Sequence, residues 1–309
     1  MGRWENFRKE IDPAIKEIKF MLYKIRKSPL SLAGASIVAF FALLAIMAPV
    51  LAPPVYDDPF QMPLVTYAAR PMPPSAEHPF GVMNGYDLYY GCIWGTITAF
   101  RVGVVVVASS LVIATIIGVI AGYYGGIIDE ILMRFTDIII AFPGLILAMV
   151  FVSVLVPAGW NPLDAVLAAL ILVGWPMYTR VIRGEVLRIR HEDFVEAAKA
   201  VGCSDFRIIT RHILPNTIYP ILIMASLDIG SIVLTAAALS FLGIGAPPGF
   251  SDWGQIISFS RQWIYSPKGI HAYWYGYTIP GIFIFMFVLG WNLLGDAFRD
   301  ILDPMIRRR

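Results

Sequence analysis

Charged side chains are scarce in this chain. They make up 15% of its 309 residues, whereas hydrophobic residues make up 58%; in ordinary soluble domains about a quarter of the residues are charged. This composition excludes a typical water-soluble domain and predicts a membrane protein. The formal net charge of +2 is too small to predict a nucleic-acid partner.

Residues that bind metals or form disulfides are also few. The chain has two cysteines and four histidines, and none of them stand at the spacing of a metal site. The dipeptide Gly-Lys does not occur, which excludes the phosphate-binding loop GxxxxGK[ST]. No serine-histidine-acid set or carboxylate pair stands out either. The sequence therefore predicts a protein that is not an enzyme and binds no cofactor itself.

Long apolar runs are what the chain does contain. Six of them reach the roughly 20 residues that a helix needs to cross a bilayer, so we predict an all-α membrane protein with six transmembrane helices. The first run is too long for the apolar core of a signal peptide, which predicts a retained anchor. The predicted spans are 30–51, 102–122, 138–156, 163–182, 218–242 and 277–294.

The basic residues set the predicted orientation. Cytoplasmic loops hold an excess of Lys and Arg, and 20 of the 24 basic residues fall on one side of the predicted membrane. Both termini of this multi-pass protein of the cell membrane are therefore predicted to be cytoplasmic. Cys92 and Cys203 are predicted at opposite faces, so they cannot form a disulfide with each other.

Three of the polar segments outside the predicted spans are the N-terminal leader and two outer loops. Residues 1–28 form a charged leader that is predicted to lie on the inner membrane surface, with partner binding as the alternative. Residues 52–95 contain eight prolines and no helix or strand period, which predicts an extended outer cap. In 243–276 a short helix is predicted from Ser251; it is an interfacial aromatic anchor, a re-entrant helix at the outer mouth, or both.

One acidic residue stands mid-way along a predicted span. Asp228 lies within 218–242, and an ionisable group at that depth is costly and faces the bundle interior. It either lines a water-filled pathway or bonds to a neighbouring helix. An ATP-independent secondary transporter that uses Asp228 is the alternative functional interpretation.

The most informative polar segment is EAAKAVGCSDFRIITRHILPN, residues 196–216. Its pattern predicts two short amphipathic helices joined at Gly202, where a left-handed backbone or a close approach needs glycine. Ser204 is predicted to cap the second helix and Pro215 to end it. The predicted apolar stripes are Phe194, Ala198 and Val201 on the first helix and Phe206, Ile209 and Ile213 on the second, with Arg207 and Arg211 opposite.

This segment resembles the cytoplasmic signature of the permease subunits of bacterial and archaeal ABC importers. The signature is EAA, any three residues, Gly, any eleven residues, and then LP. His212 stands two positions before LP, as in the peptide-transporter branch. GYYGGIIDEILMRFTDIIIAFP, LSFLGIGAPPGFSDWG and WNLLGDAFRDILDP are similar to the C-type permease of dipeptide and oligopeptide importers. The resemblance covers the chain from about residue 28 to its end.

The resemblance implies the ABC importer permease fold with a cytoplasmic coupling helix. It divides the chain into a cytoplasmic leader (1–28), an anchor helix with an outer loop (29–97), a five-helix core (98–300) that contains a coupling loop (184–215), and a cytoplasmic tail (301–309). The coupling residues that it implies, at the matching positions, are Glu196, Ala197, Ala198, Gly202, Phe206 and Arg207.

By the same resemblance, the chain is expected to be the permease subunit of an ATP-driven importer of dipeptides or oligopeptides and to form half of the translocation pathway. The segment 192–211 is expected to contact the ATPase. The implied partners are a second homologous permease, two ATP-binding subunits, an extracytoplasmic solute-binding protein and the lipid bilayer. ATP is bound by the partner subunits, and no nucleic acid is involved.

Departures from the family pattern affect the outer loop and the pathway. In HPFGVMNGYDLYY the chain keeps Gly85 and Asp87 but has Tyr86 where the family has arginine. Ala236 stands where the family usually has a glutamate, and Asp228 stands where it commonly has a glycine. Asp228 and Ala236 are therefore the candidate pathway residues. Oligosaccharides, nickel or other small solutes stay open as cargo beside peptides.

Overall fold

The computed structural model of the chain describes residues 23, 26–67, 70–266 and 270–302. Most of the predicted leader 1–28 and of the predicted tail 301–309 lies outside the described residues. Nearly all regular structure in the described part is helical, which confirms the all-α prediction. The helices are α1 (Pro29–Leu51), α2 (Leu88–Tyr124), α3 (Gly126–Ile140), α4 (Gly144–Leu155), α5 (Pro162–Ile189), α6 (Asp193–Ala200), α7 (Asp205–Ile208), α8 (Leu214–Phe241), α9 (Trp253–Phe259), α10 (Arg261–Ile264) and α11 (Tyr275–Leu302), with the short strands β1 (Val82–Met83) and β2 (Tyr86–Asp87).

Five of the predicted spans lie on single long helices. Within the described residues, α1, α2, α5, a continuous helix Asp205–Phe241 and most of α11 are long and apolar enough to cross a membrane. The anchor α1 packs along α11 through glycines: a Cβ on Gly34 would lie 2.7 Å from Leu293, and one on Gly290 would lie 2.7 Å from Ile37. Small residues allow such close helix packing in membranes.

The predicted span 138–156 is not one straight helix. It falls on α3 and α4, which are bent by 87° between Ile140 and Gly144. Pro143 disfavours a helical conformation of the preceding residue and donates no amide hydrogen bond, so the helix breaks there. The prediction of one continuous helix is therefore wrong, and counting this pair as one span gives six.

The bent pair runs antiparallel along α5. Asp129 of α3 accepts two hydrogen bonds from Arg183, near the C-terminus of α5, each at 2.5 Å. Val152 of α4 packs in one cluster with Leu163 and Leu167, near the N-terminus of α5. Together α3 and α4 thus follow α5 from one end to the other, as a single broken span does.

Helices α2 and α5 pack against each other through glycine. A Cβ on Gly118 would lie 2.9 Å from the carbonyl oxygen of Thr179, and one on Gly122 would lie 2.9 Å from the Cβ of Val186. This close packing brings the C-terminal ends of both helices together. The segment 192–211 follows α5 directly and therefore lies beside the end of α2.

The predicted outer cap contains a hairpin and the start of α2. Strands β1 and β2 pair antiparallel around Asn84 and Gly85, whose φ angles of 51° and 84° suit the tight turns that Asn-Gly favours. Asp87 accepts hydrogen bonds from two amides of the first turn of α2, at 2.8 and 3.2 Å. Helix α2 therefore begins at Leu88, inside the segment predicted to be extended, and the predicted boundary at 97/98 falls within it.

The short outer helix predicted from Ser251 is α9, and its N-cap is Asp252, which accepts an amide hydrogen bond at 2.8 Å. Trp253 is 2% exposed, and its Nε1 donates to the carbonyl of Cys92 on α2 at 3.0 Å. Thr98 Oγ1 donates to the carbonyl of Ser251 at 2.8 Å. This part of the predicted aromatic face therefore packs inside the bundle and does not anchor the helix in lipid.

Candidate functional site

Gly202 forms the turn between α6 and α7 with a φ of +80°, so the left-handed backbone predicted from the sequence is present. Its amide donates to Lys199 at 2.9 Å, and the amide of Cys203 donates to the carbonyl of Ala198 at 3.1 Å. These two bonds make the Schellman pattern of a helix C-terminus. Among the described residues beyond the turn itself, no atom lies within 4 Å of a Cβ built on Gly202. The glycine is therefore not needed for close packing against another part of this chain.

The second short helix does not end at Pro215. Helix α7 continues through a π-helical turn, Ile209–Ile213, into α8, so that Asp205–Phe241 is one helix. The prediction of a stop is wrong because the wider turn accommodates a residue that donates no amide hydrogen bond. Close to the proline, Asn216 Nδ2 donates a hydrogen bond to the carbonyl of His212 at 2.7 Å. The second half of the candidate coupling segment is thus an extension of a spanning helix.

The two predicted apolar stripes are only partly correct. Phe194, Val201 and Phe206 point outward and are 44%, 79% and 78% exposed. The segment has one supporting surface, at the ends of α2 and α5, and only the residues that face it are buried. The buried residues are Val195, Ala198, Ile208 and Ile213.

Five of the six predicted coupling residues are accessible, and Ala198 is buried in the core. Val201 and Phe206 place two large apolar side chains on either side of the Gly202 turn, and Phe194 adds a third that is less exposed. Exposed apolar side chains that lie together mark a surface that contacts another protein or the membrane. The accessible predicted residues are Glu196, Ala197, Gly202, Phe206 and Arg207.

Tyr123 and Arg190, which the sequence did not single out, hold this part of the chain against the end of α2. The hydroxyl of Tyr123, at the end of α2, donates to Asp205 Oδ1 at 2.7 Å. The ammonium of Lys199 lies over the same ring, 5.5 Å from its centroid. Arg190 donates to the carbonyls of Gly122 and Tyr123 at 3.1 and 3.2 Å. These partners are far apart along the chain, so no local pattern in the sequence indicated them.

Asp228 is half-buried on α8 and lies beside Tyr178 of α5. The buried Tyr178 hydroxyl does not meet hydrogen-bond geometry with any group in the described chain. No salt bridge of Asp228 is formed within the part of the chain that the structure describes. Ser231 and Thr235, which share its face at helical spacing, are accessible. The structure therefore places three polar side chains along one edge of α8.

Ala236 is not on that edge. It is 4% exposed and belongs to the core cluster of α2, α4 and α5. A small cavity there is also lined by Val233, Trp253 and Asp252. Burial raises the pKa of the Asp252 carboxyl, and its hydrogen bonds partly oppose this shift. The two candidate pathway residues thus face different surroundings, and only Asp228 has access to the outside of the bundle.

Metal-binding groups are not assembled anywhere in residues 26–67, 70–266 or 270–302. No three His, Cys, Asp or Glu side chains in these ranges could hold an ion together. Cys92 is buried and Cys203 is half-buried, and both are free thiols.

A bundle of long apolar helices with an exposed segment at one end is the architecture of a membrane transport protein. The chain matches the family described as "Binding-protein-dependent transport system inner membrane component" over residues 114–308. It belongs to this family of permease subunits, and the alternative of an ATP-independent transporter is disfavoured.

Three curated relatives are similar over most of the chain. The dipeptide transport system permease protein DppC of Alkalihalophilus pseudofirmus is 39% identical, over 92% of this chain and 88% of the relative. The probable D,D-dipeptide transport system permease protein DdpC of Escherichia coli K12 is 36% identical, over 92% and 90%. The glutathione transport system permease protein GsiD of Pectobacterium atrosepticum is 35% identical, over 76% and 75%.

A solved structure has the same fold. A chain of the MetNI methionine ABC transporter, in an inward-facing conformation, is similar with a TM-score of 0.55 and 19% identity, over 69% of this chain and 96% of that one. This confirms the predicted permease fold.

Proposed function

We propose that this chain is one of two permease subunits of an ATP-driven importer and forms half of its translocation pathway. Two ATP-binding subunits drive it through the segment 192–211, and an extracytoplasmic solute-binding protein delivers cargo to the outer end. The exposed apolar pair Val201 and Phe206, beside the Gly202 turn, is the observation that carries this proposal.

The segment is placed to move two spans at once. Only residues 190–192 separate α5 from α6, and α7 is continuous with α8. A partner that closes on the segment would therefore displace the cytoplasmic ends of both helices. Rocking of the permease halves between inward-open and outward-open states follows from that displacement.

Peptides are the proposed cargo class. The relatives named for dipeptide transport support this. Asp228 supports it chemically, because a half-exposed carboxylate beside Ser231 and Thr235 attracts a cation. The free amino terminus of a dipeptide supplies one. Peptides whose amino terminus is blocked should therefore pass less readily.

Uptake by the complete assembly tests the proposal. Proteoliposomes would hold this chain, its second permease and the ATPases, with the binding protein outside. Radiolabelled dialanine should enter only with ATP, should resist a proton uncoupler and should outcompete N-acetyl-dialanine. Uptake that needs no ATP and collapses with the uncoupler would contradict the proposal and support the alternative of a secondary transporter.

In the proposed orientation the protein lies in the cell membrane, and both termini and the segment 192–211 face the cytoplasm. The excess of basic residues on that side supports it. Arg183 and Arg190 support it too, because both lie at the end of the bundle that carries the segment and the C-terminus of α2.

A further inference from the structure

The segment 192–211 is attached to three spanning helices in two different ways. It is joined by the backbone to α5 and to α8. Its attachment to α2 depends on side chains, and Tyr123 is at the centre of it. Tyr123 is 9% exposed, and its ring and hydroxyl contact both helices of the segment, one on each side of the Gly202 turn.

Each contact of Tyr123 is suited to transmit force. The hydroxyl donates to Asp205 at 2.7 Å, and hydrogen bonds to a carboxylate are stronger than those between neutral groups. The Lys199 ammonium lies over the ring at 5.5 Å, within the range of a cation–π contact. Arg190 binds the last carbonyls of α2, where a positive charge is favourable.

The other end of α2 contacts the outer helix α9. The helix has 37 residues and is therefore about 55 Å long. Near its outer end the carbonyl of Cys92 accepts from Trp253, and the hydroxyl of Thr98 donates to Ser251. One rigid helix thus contacts the cytoplasmic segment at one end and the outer helix at the other.

We propose that Tyr123 is a positioning residue that makes α2 move with the segment 192–211, so that the movement reaches the outer helix α9. This inference rests on the proposed function, because the ATPases supply the displacement. Without the Tyr123 contacts, the displacement would reach α5 and α8 by the backbone but would reach α2 only through helix packing. If Tyr123 served only to stabilise the fold, replacing it would lower the amount of assembled transporter but would not change the cargo moved per ATP.

The variant Tyr123→Phe tests this because it keeps the ring over Lys199 and removes only the hydroxyl. In proteoliposomes with the complete assembly, it should hydrolyse ATP at nearly the normal rate while dialanine uptake per ATP falls by about tenfold, the scale of one hydrogen bond to a charged group. Tyr124→Phe is the matched control, since it removes the exposed hydroxyl of the neighbouring residue and should leave the ratio unchanged.

A distance measurement tests the movement without cargo. Spin labels at Ala158, in the exposed loop before α5, and at Tyr265, which follows α10 and is 88% exposed, report on the outer surface. In a Cys203→Ser background, ATP should shift the distance between them, and Tyr123→Phe should abolish most of that shift. Asp205→Ala, which removes the acceptor of the same hydrogen bond, should have a similar effect, and the double variant should be no worse than either single one.

Some results would overturn the inference. A normal uptake-to-ATP ratio with a full distance shift in Tyr123→Phe would do so, as would a lower amount of assembly with an unchanged ratio. If the wild-type assembly shows no ATP-driven shift or uptake, the proposed function fails as well. If the wild-type assembly shows the ATP-driven shift and uptake and Tyr123→Phe keeps both, only the role of Tyr123 is excluded and the proposed function stands.

Discussion

Gly202 is the residue of the candidate coupling surface at which a side chain would be most costly. Its φ of +80° would impose about 1–3 kcal/mol of strain on a β-branched residue. Gly202→Val should therefore distort the turn while the spans stay intact. We expect cargo-stimulated ATP hydrolysis to fall sharply at normal membrane level and protease resistance.

Two controls accompany this variant. Gly159, in the exposed loop before α5, also has a left-handed backbone with a φ of +94°, and a Cβ there would contact no described atom within 4 Å, so Gly159→Val should retain stimulation. Arg207→Ala should have a much smaller effect than Gly202→Val if packing carries the contact. Full stimulation in Gly202→Val would mean that the segment is an ordinary solvated loop.

A second prediction at the residue scale is that Asp228 lines the translocation pathway. Asp228→Asn keeps the size of the side chain and removes the charge, so it should lower the preference for dialanine over N-acetyl-dialanine. Uptake should still require ATP and resist an uncoupler. Asp296→Asn removes a charge from an exposed position on α11 and should leave the preference unchanged. An unchanged preference in Asp228→Asn would remove this residue from the pathway.

At the scale of elements, the packing of α9 against α2 depends on Gly95. A Cβ there would lie 2.6 Å from Nε1 and 2.7 Å from Cδ1 of Trp253. The indole ring cannot move away without losing its hydrogen bond to the carbonyl of Cys92. Gly95→Ala should destabilise the packing by about 1–3 kcal/mol. Proteolysis in detergent should show an earlier cut near α9. Gly281→Ala, where no described atom lies within 4 Å, should not.

The sequence predicted the elements better than their contacts. Apolar run length located five spans, and the EAA signature located the segment 192–211. Hydropathy alone missed the break at Pro143, because it counts residues and ignores the missing amide hydrogen bond. The continuation of the helix past Pro215 depends on a π-helical turn that no local pattern indicated.

The candidate site was predicted unevenly for a physical reason. The turn at Gly202 follows from a local signal, whereas the local pattern placed Phe206 on a stripe with Ile213, and the structure exposes Phe206 and buries Ile213. The contact between Tyr123 and Asp205 joins residues 82 positions apart, so only the packing of α2 along α5 brings them together. The departure at Ala236 suggested a pathway residue, but the structure buries it in the core.

For the whole molecule, the orientation gives a direct labelling test. Cysteines introduced at Tyr265 and at Ala200, both exposed, lie at opposite ends of the bundle. In intact cells and a Cys203→Ser background, an impermeant reagent should label Tyr265→Cys and spare Ala200→Cys. Opening the membrane should then expose Ala200→Cys. Labelling of Ala200→Cys from outside would reverse the orientation.

The most direct test of the central claim is a photo-crosslinking residue at position 206, activated in membranes that hold the whole assembly. Phe206 is 78% exposed, so the probe fits without disturbing the core. We predict a product that contains an ATP-binding subunit, identified by mass spectrometry, and no such product from position 142, the exposed phenylalanine at the bend before α4. Products with lipid or with an outer binding protein, and none with an ATP-binding subunit, would contradict the account.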